Sequence, residues 1–182
     1  MKNQSISKSF LATFFSILLI SGSRAQMQTD HRSRTKATSQ SSINQSNSIR
    51  MDNQAVQTVK TFLTAVQQGN QQTLAALIHP DIQWNQPGTN RFSGKKTSST
   101  AVFQMVGGMV AATANTLNLA DIKEMTTNGN RVACLVHWKA VQPGGGVLDV
   151  NNIDVYTVEN GRIVEATVYS EDIAQEDYFW GK

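Results

Sequence analysis

TNGNRVACLVHWKAVQPGGGVLDVNNIDVYTVENGRIVEATVYS, residues 127–170, carries three apolar-rich runs separated by turn residues. The runs span 131–141, 147–158 and 162–171, and a fourth lies near 117–127. Asn128-Gly129-Asn130, Pro143-Gly144-Gly145-Gly146 and Asn160-Gly161 punctuate them. Asn-Gly between alternating runs is a strong hairpin signal, because both residues tolerate positive φ. The stretch therefore predicts an antiparallel meander of strands.

Working outward, the period changes from two to 3.6. Val56, Val59, Phe62, Leu63 and Val66 recur at three- and four-residue steps, which predicts a helix over 52–69 ending at Gly69. Asn70 can cap a second, shorter helix bearing Leu74, Leu77 and Ile78, stopped at His79-Pro80. A short extended piece, 82–85, leads into a loop from Pro87 to Lys96. A third helix starts at Ser98 or Ser99 and buries Val102, Phe103, Val106 and Val110. Gly107-Gly108 inside it implies a kink or a close neighbour, since each glycine costs about 1 kcal/mol relative to alanine. Three helices followed by an antiparallel sheet define an α+β domain over 51–182, helices on one face.

The first fifty residues differ in kind. Lys2 and Lys8, the apolar run Phe10–Ile20 and Ser23-Arg24-Ala25 read as an export signal over 1–25, cleaved near Ala25. That run is too short to span a bilayer, which takes about 20 residues. The expected location is secreted or periplasmic, with no stable membrane span after cleavage. Residues 26–50 are rich in Ser, Thr, Gln and Asn and read as a disordered tether.

The chain has 16 Lys+Arg against 13 Asp+Glu, a net +3, yet 51–182 holds nine basic and twelve acidic residues. The positive charge thus belongs to the N-terminal extension, and nucleic acid is not an expected partner. The lone Cys134 excludes an internal disulfide, and no Cys/His spacing suits zinc, so neither metal nor cofactor is expected.

Strand periodicity sorts the faces. Along 131–141 the even set, Val132, Cys134, Val136, Trp138 and Ala140, is apolar and should face the helices. Along 147–158 polar groups lie near the centre whichever set turns inward. If the set Leu148, Val150, Asn152, Asp154, Tyr156 and Val158 is inward, Asp154 enters an apolar interior. A carboxyl there would have a raised pKa and could act as acid, base or hydrogen-bond donor. An exposed or structurally paired aspartate is the alternative.

The segments VKTFLTAVQQGN (59–70), LAALIHPDIQWNQP (74–87), SGKK (93–96), ENGRIVEATVYSED (159–172) and YFWG (178–181) together resemble the SnoaL-like branch of the nuclear transport factor two-like superfamily. The resemblance covers about 51–182. It implies a conical α+β barrel, a curved antiparallel sheet wrapped by three N-terminal helices around an apolar pocket. It also implies a homodimer through the outer sheet face. Ketosteroid isomerases of that superfamily pair an aspartate base with a tyrosine and a protonated aspartic acid, a carboxyl kept neutral by its apolar site. By the resemblance, Phe62 stands in place of the tyrosine and Gln86 in place of the base; only Asp154 matches. Steroid isomerisation is therefore excluded as the specific activity. No inward arginine beside Asp154 completes an epoxide-hydrolase pattern. A cyclase-type proton shuttle needs only one acid in an apolar pocket, which Asp154 could supply, or Asp172 or Glu171 at the last strand's end.

The expected ligand is a small, largely apolar molecule. Phe62, Trp84, Gln86, Phe103, Val136, Trp138, Asn152, Tyr156 and Tyr169 are the expected pocket lining. His137 falls on the outer face, and His79 at a helix end. Glu171, Asp172, Glu176 and Asp177 read as a solvated C-terminal turn, with 178–180 folding back over the barrel mouth or the dimer seam. A non-catalytic dimeric interaction module is the competing reading.

Overall fold

The computed structural model describes residues 30–182, with side chains from residue 42 onward. The compact unit that holds the site is Ser42–Lys182. The export signal read in 1–25 and the start of the tether lie outside the described residues.

Helix α1 is Asp30–Gln68. Its C-terminal half presents Ala55, Val59, Phe62 and Leu63 to the core, as the periodicity dictates. Residues 30–50, within the stretch read as a tether, lie in this helix. No Gly or Pro interrupts that stretch, and its Ser, Gln and Asn each cost only fractions of a kcal/mol. Every residue of 42–50 is exposed, so this part of the helix buries no core of its own.

Helix α2 is Gln71–Leu77, capped by the Asn70 side chain accepting from the Thr73 N–H at 3.1 Å. Strand β1, Ile78–Gln86, follows at once and is longer than the extended piece expected at 82–85. His79 is thus in a strand, where its Nδ1 accepts from the Asp81 N–H. Strand β2, Gly94–Lys96, occupies what reads as loop and pairs antiparallel with β1. Helix α3, Ser99–Ala112, starts where Ser98 Oγ accepts from the Ala101 N–H at 3.2 Å. Gly108 answers the question its sequence raises: a Cβ there would meet the Phe92 ring at 2.8 Å.

Strands β3 (Asn118–Asn128), β4 (Arg131–Val141), β5 (Val147–Glu159) and β6 (Arg162–Ser170) form the expected meander. Asn160 and Gly161 both have positive φ, 49° and 75°, as a tight Asn-Gly hairpin turn requires. The sheet order is β2-β1-β6-β5-β4-β3. Two expectations need correction. The sheet is mixed, because β1 runs parallel to β6, and among the described residues it does not close, because β2 and β3 are left as edges. A fourth helix, α4 (Ile173–Trp180), replaces the solvated turn at the C-terminus. Asp172 caps it by accepting from the Gln175 N–H at 2.8 Å.

The core lies between the inner sheet face and the helices, with Val59, Ile82, Val132, Val136 and Ile163 fully buried. Each such side chain contributes roughly 1.5–3 kcal/mol. An exposed ion pair such as Arg131–Glu165 contributes about 0–1 kcal/mol, so burial decides the fold. Among the described residues, no helix is long and apolar enough to cross a membrane.

Candidate functional site

The alternation of β5 settles which set turns inward: Leu148, Val150, Asn152, Asp154, Tyr156 and Val158 are all buried. Across from Asp154 stand Cys134 on β4 and Val168 on β6. A cavity of about 490 Å³ opens between this sheet face and the helices. That size suits a small organic molecule. The helices supply an apolar roof, including Phe62, Val66, Leu74, Phe103 and Met109. Gln67, Gln68, Asn115 and Asn118 line it too and are exposed, so they form a polar rim.

Asp154 is only 3% exposed. Its Oδ2 accepts from the Tyr156 hydroxyl at 2.9 Å, while Oδ1 has no hydrogen-bond partner among the described residues. Burial pushes its pKa up to about 7; the Tyr156 hydrogen bond opposes the rise and the Glu176 charge adds to it. Burial and the neighbouring Asp154 raise Tyr156 well above the ordinary phenol value, so it keeps its proton and donates. Phe62 and Trp84 pack edge-on against the Tyr156 ring, with centroids 5.5 and 6.4 Å away, and fix its orientation. Trp84 Nε1 donates to Gln86 Oε1 at 3.1 Å, so Gln86 is a hydrogen-bonding amide in the wall and not a base.

Glu176 is the site residue that the sequence conceals. Its neighbours in the chain suggest a solvated turn, yet α4 carries it into the cavity wall at 2% exposure. Burial raises its pKa, while the Ser170, Asn152 and Trp180 side chains at hydrogen-bonding reach pull it back. Its Oε1 and the Asn152 Oδ1 have no partner among the described residues. A signal is present: Asp172-Ile173-Ala174-Gln175 has the spacing of a capping box, and a helix begun there sets Glu176 beside Trp180, one turn on.

Of the expected lining, Phe62, Trp84, Gln86, Phe103, Trp138, Asn152 and Tyr156 converge on the cavity with Asp154. Three expected residues do not. Val136 is fully buried behind the wall as core. Asp172 is exposed and serves as the α4 cap. Tyr169 is 57% exposed on the outer face. Thr157 pairs with Glu165 and Val158 with Ile163, so Val164 is an extra residue on β6. Such a bulge reverses which parity faces inward, and Tyr169 moves outward with it.

The last aromatics also separate. Phe179 and Trp180 are buried, with Trp180 in the cavity wall, while Tyr178 is 90% exposed. Asp177 clasps α4 to the loop after β1, accepting from the Thr89 and Asn90 N–H groups and from both their side chains. The Thr89 N–H, then the Asn90 amide, hold its carboxyl below the usual range. Cys134 is buried and free, its thiol pushed up to about 12 by burial and then by Asp154, which leaves it a small hydrophobe. His137 faces outward as expected and pairs with Asp149. Among the described residues, no three His, Cys, Asp or Glu side chains are placed to hold a metal ion.

A mixed, unclosed sheet curved against helices, with buried acids in the wall of an apolar cavity, defines the cone-shaped α+β class. Comparison with known proteins gives the family within it. The family model described as a SnoaL-like domain matches residues 59–166. A protein of unknown function with a cystatin-like fold from Xanthomonas campestris is 32% identical in sequence, with a TM-score of 0.68. That alignment covers 70% of this chain and 98% of the other. Bal32a, from a soil-derived mobile gene cassette, is 25% identical with a TM-score of 0.68, over 72% of this chain and 99% of its own. TerC, co-crystallised with polyporic acid, shares the fold at 13% identity and a TM-score of 0.61, over 70% of this chain and 99% of its own. No curated protein matches. The chain belongs to the SnoaL-like family of the nuclear transport factor two-like superfamily.

Proposed function

We propose that this domain binds a small, largely apolar molecule in its cavity and exchanges a proton with it through Asp154. One observation carries the reading: a buried carboxyl in the cavity wall, with one oxygen unpartnered and a pKa of about 7. An acid or base works best when its pKa lies near the working pH. TerC, of the same fold, was crystallised with polyporic acid, which supports the cavity as a place for an organic ligand. The steroid-isomerase pattern gains nothing from the geometry, since Phe62 has no hydroxyl and Gln86 cannot take a proton at neutral pH. The export signal read in 1–25 extends the proposal to a secreted or periplasmic setting. Native mass spectrometry of protein recovered from its exported compartment tests both parts. A retained small molecule on the wild type, altered in occupancy on Asp154→Asn, is the expected result. A clean apo mass for protein that also stays inside the cell would count against them.

A second reading, a dimeric interaction module, is favoured by the outer sheet face. Leu135, Ile153 and Tyr169 stand side by side across β4, β5 and β6, and Ile153 and Tyr169 are exposed. Light scattering should give twice the chain mass, and Ile153→Lys should return the protein to monomer with its cavity intact. A monomeric wild type would remove this reading.

A further inference from the structure

Three buried acceptor oxygens in the cavity wall have no donor among the described residues: Asn152 Oδ1, Asp154 Oδ1 and Glu176 Oε1. The Asn152 amide is turned toward Glu176, which leaves its oxygen as an acceptor. Unpaired buried acceptors are costly, so a ligand that supplies donors gains more here than one that supplies only apolar surface. Among the described residues no Lys, Arg or His lines the cavity, and two of the three acceptors belong to carboxyls. An anionic ligand would face those carboxyls with nothing to offset its charge. An ammonium has three donors and no acceptor, which matches the set in number and in kind. Phe62, Trp84, Phe103, Trp138, Tyr156 and Trp180 line the same space, and aromatic faces attract such a cation.

We infer that the ligand is a largely apolar amine, its ammonium held by Asp154 and Glu176 and its hydrocarbon body by the helical roof. This inference rests on the proposal that the cavity binds a small molecule, and it fixes that molecule's charge. Protonated carboxyls cannot offset a cation, so binding requires Asp154 ionised. The titratable groups facing Asp154 are Tyr156 on β5, Cys134 on β4 and Glu176 on α4. Tyr156 and Cys134 keep their protons through neutral pH, and the raised Glu176 acts in the same direction as Asp154. The α1, α2, α3, β1 and β3 residues of the lining add no titratable side chain.

All three tryptophans of the chain line the cavity, so their fluorescence reports occupancy. The test titrates the full chain with three probes of one skeleton, 2-phenylethylamine, 2-phenylethanol and phenylacetate, between pH 5 and 8.5. At pH 8 the amine should bind at least about tenfold more tightly than the alcohol, and the carboxylate not at all. Below pH 7 the amine affinity should fall by about tenfold per pH step, following the ionised fraction of Asp154, while the alcohol stays level. Glu176→Gln, checked for folding by circular dichroism, should weaken amine binding at pH 8 by at least about tenfold. An alcohol that binds as well as the amine, or amine binding indifferent to pH, overturns the inference and leaves the cavity reading standing. If none of the three probes alters the fluorescence, both fall.

Discussion

Asp154→Asn is expected to make this domain more stable at pH 8 while depriving the cavity of its acid. The side chain is buried and its pKa is pushed up to about 7 by that burial, from an ordinary value near 4. Between those values the folded protein holds a proton that the unfolded chain has released. Stability therefore declines as pH rises from about 4 to about 7 and then levels off. Across that window the ionised carboxyl costs roughly 2–4 kcal/mol, and an isosteric amide does not carry that cost. Asn keeps an oxygen for the Tyr156 hydroxyl now bonded at 2.9 Å. Urea denaturation at pH 5 and pH 8 checks this: the advantage of the variant should be several-fold larger at pH 8. Equal shifts at the two values would show that Asp154 is not held as a neutral acid. A residue kept against stability is a signature of function, and the cavity supplies the use.

Trp180→Ala should have the largest destabilising effect of any single change at the C-terminus. Trp180 is buried and packs edge-on against Phe92 and Phe179, with centroids 5.3 and 4.7 Å away. Truncating such a side chain costs roughly 3–5 kcal/mol, because the transfer energy is lost and a void is left. The void joins the cavity, since Trp180 is part of the wall that holds Glu176. Water admitted there relieves the burial that raises Asp154, so the pH dependence of stability should flatten along with the loss. The hydrogen bonds that remain to the C-terminus include the Asp177 clasp, the bond from Gln142 Nε2 to the Phe179 carbonyl, that from the Asp149 N–H to Gln175 Oε1 and that from the Arg91 N–H to the Gly181 carbonyl. Denaturation of Trp180→Ala beside Trp180→Phe measures the effect; a cost below about 1 kcal/mol for the alanine would mean that α4 is not integral to the wall.

Much of this arrangement is legible in the sequence, for local reasons. Period-two alternation puts Cys134, Asn152, Asp154 and Tyr156 on one face, and that alternation is a direct consequence of strand geometry. Asn160-Gly161 and Gly129 mark the hairpins because few other residues tolerate their positive φ. What escapes is non-local or irregular. Nothing in 78–86 announces that β1 will lie parallel to β6, a pairing between strands distant in the chain. The extra residue at Val164 flips Tyr169 to the outside, and alternation counted through a bulge gives the wrong face. Glu176 is hidden because α4 has only eight residues, too few for a hydrophobic period to emerge among its charges. The family resemblance supplies the cone, but its catalytic positions point to Phe62 and Gln86 and away from the second carboxyl.

The most direct measurement is the titration of the Asp154 carboxyl carbon by nuclear magnetic resonance in the full chain, with Asp154→Asn used to assign the signal. A midpoint of about 7 is expected, moving lower when an apolar amine fills the cavity. A midpoint near the ordinary carboxylate value of about 4, unchanged by any ligand, would contradict a buried proton-exchanging acid in this fold.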